Sequence, residues 1–270
     1  MLMEMQTDLR TRLAEARERT DQLFQIVDPA AMYDRPIPER HRIIFYLGHL
    51  EAFDRNLLHD RALSLPQSPQ LDHLFAFGID PVDGGLPTDQ PADWPDRNEV
   101  GKYVQQVRDA IDLELSRTSP DFAASRGFSL EQLLNVAIEH RLMHAETLAY
   151  MLHQMPLDTK RRAGALPDLT TSPVQPGMIQ IPSGPATLGM VRSRGAFGWD
   201  NEFEEETLSV PAFSIDRHKV TNAEFLAFMA DGGYKNAALW KEADWRWIQQ
   251  AGITHPAFWR ESPEGWLYRG

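Results

Sequence analysis

Apolar residues recur at helical intervals through the first part of the chain. Leu9, Leu13, Ala16, Leu23 and Phe24 fall on such a pattern between Thr7 and Val27 and predict a first amphipathic helix. Pro36 and Pro38 close the next loop, and a second helix is expected from about Pro38 to Arg61. From Pro66 to Asp96 the sequence is rich in proline, glycine and aspartate, including Pro81 to Gly85, and reads as a long loop. A third helix is expected over Arg97 to Arg117. Ser129 is suited to cap a fourth, since Gln132 three residues later completes a capping box, and Pro156 stops that helix after Gln154. The pattern predicts an antiparallel four-helix bundle over residues 1–158.

The texture then changes. Residues 159–176 read as a linker, basic at Lys160 and then rich in proline and threonine. From 177 to 270 the pattern becomes that of a strand-containing domain, so the fold class is α+β. Met178 to Pro182 and Leu208 to Ile215 alternate as strands do. Thr221 can cap a short helix from Ala223 to Ala230. Trp240, Trp245, Trp247, Trp259 and Trp266 crowd the tail, five of the seven tryptophans. Such density suits packing in a loop-rich domain, or a surface for a flat or cationic ligand.

Within the fourth helix, His140 and His144 stand four residues apart, with Glu146 two further on. Residues i and i+4 share a helix face, so both imidazoles can reach one metal ion. Their stripe is otherwise apolar: Leu133, Ala137 and Leu148. Buried imidazoles need partners. A metal is one; hydrogen bonding within the core is the other. His49, in the apolar run Ile43 to Phe53, completes a three-histidine set if the second and fourth helices are neighbours, and bundle cores commonly hold metals between facing helices. Glu146 can accept from a histidine ring N–H or stand solvated. His41, His59, His73, His153, His218 and His255 lack comparable spacing and read as surface, capping or packing residues.

Composition narrows the chemistry. Cysteine is absent from the 270 residues, so disulfides, thiolate nucleophiles and thiolate metal sites are excluded. Nitrogen and oxygen ligands then favour iron, manganese, zinc or nickel. A formal charge of −12 argues against nucleic acid as a partner. No apolar run approaches the roughly 18 residues of a membrane span, and Met1 to Asp8 lacks a signal peptide's basic and apolar regions; a cytoplasmic protein is expected. The acidic stretch Asn201 to Glu206 reads as a solvated loop, and Arg192 and Arg194 as surface residues able to meet a carboxylate.

Tyr46-Leu47-Gly48-His49 followed by His140-x-x-x-His144-x-Glu146 resembles the DinB-like bundle of ergothioneine-pathway sulfoxide synthases. Ile181 to Gly189, Phe197 to Glu202 and Pro211 to Asn222 resemble their formylglycine-generating-enzyme-type, C-type-lectin-like domain. The resemblance covers nearly the whole chain. It implies an enzyme in which His49, His140 and His144 hold Fe(II). The implied reaction joins the sulfur of cysteine or γ-glutamylcysteine to the imidazole of N-α-trimethylhistidine, using O2 and giving a sulfoxide. It also implies that the second domain is C-terminally incomplete at Gly270, with the family's substrate-ammonium contacts and tyrosine proton donor largely beyond it. Met143 stands where some members place a substrate-contacting glutamine.

Other readings share these residues. A selenoneine- or ovothiol-type synthase would keep the iron and change the substrates. A DinB-like thiol transferase would hold Zn2+ or Ni2+ at the same histidines and need no oxygen. A scaffold would bind no metal. Copper-dependent formylglycine formation is excluded by the missing cysteines.

Overall fold

The computed structural model describes residues 2–59, 61–79, 85–118, 129–161, 175–192 and 197–268, the side chains of 2–8 excepted. The proline-rich linker at 162–174, the loop at 80–84 and Arg194 lie outside them. The chain divides into two compact units, residues 1–167 and 168–270. Among the described residues no helix is long and apolar enough to cross a membrane.

Unit one is helical: α1 (Leu2–Ile26), α2 (Ile43–Leu58), α3 (Pro69–Phe77), α4 (Arg97–Arg117) and α5 (Leu130–Gln154). The capping box at Ser129 forms as expected, with the hydroxyl accepting from Gln132 N and the Gln132 side chain accepting from Ser129 N. Asp96 caps α4 by accepting from the backbone of Asn98 and Glu99. Val100, Tyr103, Val107, Ile111 and Leu115 then form the buried stripe of that helix. Helix α2 starts at Ile43 and not Pro38, because Ile43 N and Ile44 N donate to Asp34 and Met32 carbonyls in a preceding turn.

The stretch expected as one long loop contains α3. Pro69 sits in its first turn, where a missing N–H leaves nothing unsatisfied. Gly78 ends it with φ of 71°, a conformation that favours glycine. Asp72 anchors it: Tyr103 of α4 donates to Oδ1 at 2.9 Å, and Arg55 of α2 lies 3.4 Å from Oδ2.

The bundle is not antiparallel throughout. Arg12, midway along α1, reaches Asn135 in the second turn of α5, and Val27 bridges Lys160 beyond their ends, so these two run parallel. Leu47 shares a groove with Gly101 and Lys102, and Glu51 binds Arg108, so α2 and α4 are parallel too. By contrast α1 opposes α4 (Arg17 with Asp112, Asp21 with Arg108) and α2 opposes α5 (Tyr46 with His144, Phe53 with His140). The long connection carrying α3 lets α4 start at the same end as α2, a crossover that the helix patterns alone do not reveal. It leaves α2 and α5 face to face.

Unit two is a small sheet-containing domain. Strand β1 (Met178–Ile181) pairs with β4 (Phe213–Asp216), β2 (Gly184–Leu188) with β3 (Glu206–Val210), and β5 (Trp259–Ser262) with β6 (Gly265–Tyr268), all antiparallel. The run Leu208 to Ile215 is two strands divided at Pro211, which has no N–H to donate. Thr221 caps α6 (Asn222–Ala230), and α7 (Glu242–Ala251) follows. Packing accounts for much of the tryptophan cluster: Trp240 stacks on Tyr234, and Trp259 meets Phe225 and Trp266.

Candidate metal centre

The facing of α2 and α5 brings His49, His140 and His144 together, and the three Nε2 atoms converge. His144 Nε2 lies 3.2 Å from His49 Nε2 and 3.1 Å from His140 Nε2. Two nitrogens bound about 2.1 Å from one ion stand about 3.0 Å apart at a right angle and about 3.4 Å apart at the tetrahedral angle. The observed separations fall between those limits. Both are spacings of ligands sharing one ion, and the ligand atoms of all three residues lie within 4.8 Å of one another.

Protonation favours the same use. The Phe75 carbonyl can only accept, so at 2.7 Å it fixes the hydrogen of His49 on Nδ1 and leaves the Nε2 lone pair facing the other two rings. That carbonyl is free because it belongs to the last turn of α3, where intrahelical donors run out. The negative end of the α3 dipole also points at the ring. Gly48 allows the approach: a Cβ there would stand 2.5 Å from the Phe75 ring.

Burial holds all three imidazoles neutral. It lowers the pKa of His49, takes His140 down to about 2 with His144 and His49 adding like-charge repulsion, and takes His144 down to about 4. A neutral imidazole is the form that binds a metal. Nδ1 of His140 and of His144 is buried with no hydrogen-bond partner among the described residues.

Helix α2 supplies an aromatic neighbour for every ring, and two for His49, which also meets Phe53 at 6.3 Å. Phe45 stacks on His49 with centroids 4.7 Å apart, Phe53 lies flat on His140, and Tyr46 leans against His144 at 5.6 Å. Phe45, His49 and Phe53 are spaced i, i+4, i+8, a spacing visible in the sequence though not read there as support for the site. The Phe75 carbonyl has no residue-type signature and could not have been found.

Glu146 does not take the role expected of it. It is exposed, two positions past His144 and therefore turned away from the ligand face, and among the described residues it accepts from none of the three rings. The Phe75 carbonyl serves His49 instead. The remaining histidines behave as packing or capping groups where their contacts are described: His41 packs on Phe45, and His59 Nδ1 accepts from Leu65 N. Met143 is exposed, 52% accessible, on the turn of α5 between His140 and His144.

Comparison with known proteins adds the context. Residues 12–148 match the DinB superfamily, and residues 165–265 match the sulfatase-modifying factor enzyme 1-like domain. The chain is 29% identical over 268 residues to a hercynine oxygenase of Mycolicibacterium thermoresistibile, covering 96% of this chain and 55% of that protein. It is 31% identical over 267 residues to a hercynine oxygenase of Mycolicibacterium smegmatis, covering 95% and 58%. Over 240 residues it is 26% identical to ergothioneine biosynthesis protein 1 of Neurospora crassa, covering 82% and 27%. The chain thus spans about half the length of the curated bacterial relatives it matches.

Proposed function

This chain belongs to the ergothioneine-pathway sulfoxide synthase family, a DinB-superfamily bundle joined to a sulfatase-modifying-factor-type domain, and on that premise we propose that its bundle carries the iron site of an O2-dependent carbon–sulfur bond-forming enzyme. The substrates of this reading are a thiol, cysteine or γ-glutamylcysteine, and N-α-trimethylhistidine. The hercynine oxygenase names of the bacterial relatives favour that imidazole substrate. The balance closes with O2 as oxidant. The S–H and imidazole C–H bonds break, a C–S bond forms, one oxygen atom stays on sulfur and the other leaves as water with the two hydrogens.

The observation that carries the reading is the convergence of three Nε2 atoms at 3.1 and 3.2 Å in a cysteine-free chain. Three imidazoles suit Fe(II) among the metals that nitrogen ligands accept. Held by His49, His140 and His144, the ion would supply Lewis acidity toward a thiol, open positions beside it and the reducing capacity that O2 requires. The chain's own residues do the rest. The Phe75 carbonyl keeps the His49 proton on Nδ1, burial keeps the other two rings unprotonated, and Phe45, Tyr46 and Phe53 restrain ring rotation.

Anaerobic loading with Fe(II), followed by metal analysis of the wild type and His140→Ala, tests this assignment. Near-stoichiometric iron that is lost in the variant is expected, with thiol-dependent O2 consumption once the complete protein is assayed. Equal iron in both would remove the three histidines from the account. Metal binding with thiol transfer that needs no oxygen would favour the DinB-like transferase.

A further inference from the structure

Arg141 follows the candidate ligand His140 directly, yet its side chain is fully buried. Its guanidinium crosses to α2 and makes three bonds there: Nη1 to Glu51 Oε1 at 3.0 Å, Nη2 to Asp54 Oδ2 at 2.6 Å, and Nη2 to the Leu50 carbonyl at 3.2 Å. All three acceptors lie within five residues of His49. From Glu51 the chain of charges continues. Arg108 of α4 donates from Nε to the same Oε1 at 2.8 Å, and its two terminal nitrogens grip Asp21 of α1 at 2.7 and 2.8 Å. One side chain from each of the four long helices is therefore joined in a single line, Arg141–Glu51–Arg108–Asp21.

A network of this kind is weak evidence for stability, since well-packed apolar residues often replace a buried ion pair without loss. What it does supply is register. An apolar α2–α5 interface tolerates small slides and rotations, whereas a planar fork held by two carboxylates and a carbonyl does not. One residue of slip moves a helix about 1.5 Å along its axis. That exceeds the tolerance of nitrogen–metal distances. The fork joins the turn of α2 that carries His49 to the turn of α5 that carries His140 and His144.

We propose that Arg141 is the positioning residue of the three-histidine site: through Glu51, Asp54 and the Leu50 carbonyl it sets the register of α5 on α2 and hence the distance at which His49 meets its two partners. This rests on the metal-site reading above. Among the described residues Arg141 makes no hydrogen bond to any of the three rings, so the register it sets is transmitted through the helices.

Co(II) serves as the probe, because its visible bands report ligand geometry without catalysis. The full chain is titrated under anaerobic conditions, with far-UV circular dichroism and a urea midpoint recorded on each variant. Removing Arg141 alone leaves buried Asp54 without its ion-pair partner and Glu51 with Arg108, so the main variant removes the whole fork, Arg141→Met with Glu51→Gln and Asp54→Asn, one positive and two negative side chains. Expected is a folded bundle whose Co(II) affinity falls about 10–100-fold with shifted bands. Arg141→Lys, which keeps the charge and loses the fork, is expected to shift them as well. A folded triple variant with wild-type affinity and bands would overturn the proposal. Should the triple variant fail to fold, Asp54→Asn decides: a severalfold loss with shifted bands supports the proposal, and wild-type behaviour overturns it. A wild-type chain that binds no Co(II) overturns the metal-site reading itself, a result distinct from unaltered binding in the variants.

Discussion

Gly48 lies directly beneath the ring of Phe75, so close that a methyl group on its Cα would stand 2.5 Å from three ring carbons. The contact seats α3 against α2, and the same residue's carbonyl holds His49 Nδ1 at 2.7 Å. Gly48→Ala must therefore displace the ring and, with it, the acceptor that orients His49. Overpacking of this kind typically costs about 1–3 kcal/mol. Urea unfolding should show a loss in that range, and Co(II) affinity should fall with it. An unchanged midpoint together with unchanged affinity would mean that Phe75 moves freely and does not orient His49.

The buried imidazoles make the metal-free chain sensitive to mild acid. Their folded pKa values are depressed, to about 2 for His140 and about 4 for His144, with His49 lowered as well. In the unfolded chain a histidine titrates near about 6.5. Between the two values the unfolded state binds more protons, so stability falls as pH falls. The histidine contribution is thus complete above about pH 6.5 and is lost progressively below it, at up to about 1.4 kcal/mol per pH unit for each ring. Urea midpoints of the metal-free chain from pH 7.5 to 5 should decline over that range. His140→Ala should flatten the decline; a slope identical to wild type would show that carboxylates elsewhere dominate it.

Ser129 starts the helix that carries two of the three candidate ligands. Its hydroxyl accepts from Gln132 N at 3.1 Å, while Gln132 returns a bond to Ser129 N at 2.9 Å. Ser129→Ala removes one arm and should cost about 1 kcal/mol. Because His140 lies three turns further on and is held by the α2 interface, metal affinity should stay within about twofold of wild type. A large loss of affinity would mean that fraying at Ser129 propagates to the site.

What the sequence disclosed, and what it hid, follows from where the information sits. Helix α5 was legible because Ser129 and Gln132 form a capping box at its start and the apolar stripe behind them keeps one period. The histidine pair was legible because i, i+4 spacing on a helix fixes a shared face whatever the tertiary fold. Helix α3 was hidden by Pro69 and Gly78, which read as loop residues although they mark its two ends. Arg141 was hidden for a different reason. A lone arginine in a helix reads as solvated, and only the long-range pairing with Glu51 and Asp54 reveals it as core. The direction of α4 relative to α2 was likewise set by a crossover that leaves no local trace, and the strands of unit two were too short for alternation to mark them all.

Support of the three histidine rings comes from aromatic faces and not from the nearby carboxylate, and two substitutions separate these. Phe53 lies 3.4 Å from His140, centroid to centroid, with ring planes 10° from parallel; Glu146 is exposed and touches no ligand ring. Phe53→Leu keeps most of the apolar volume but removes the flat surface that stops His140 from turning about its Cβ–Cγ bond. Lost aromatic contact and imperfect refilling together should cost about 1–2 kcal/mol. The freed ring must then be ordered whenever a metal binds, which should weaken Co(II) binding severalfold and broaden its visible bands. Glu146→Ala should leave both unchanged. The reverse pattern, with Phe53→Leu neutral and Glu146→Ala weak in metal binding, would show that the carboxylate swings in to orient a ring Nδ1 and that the aromatic stack is incidental packing.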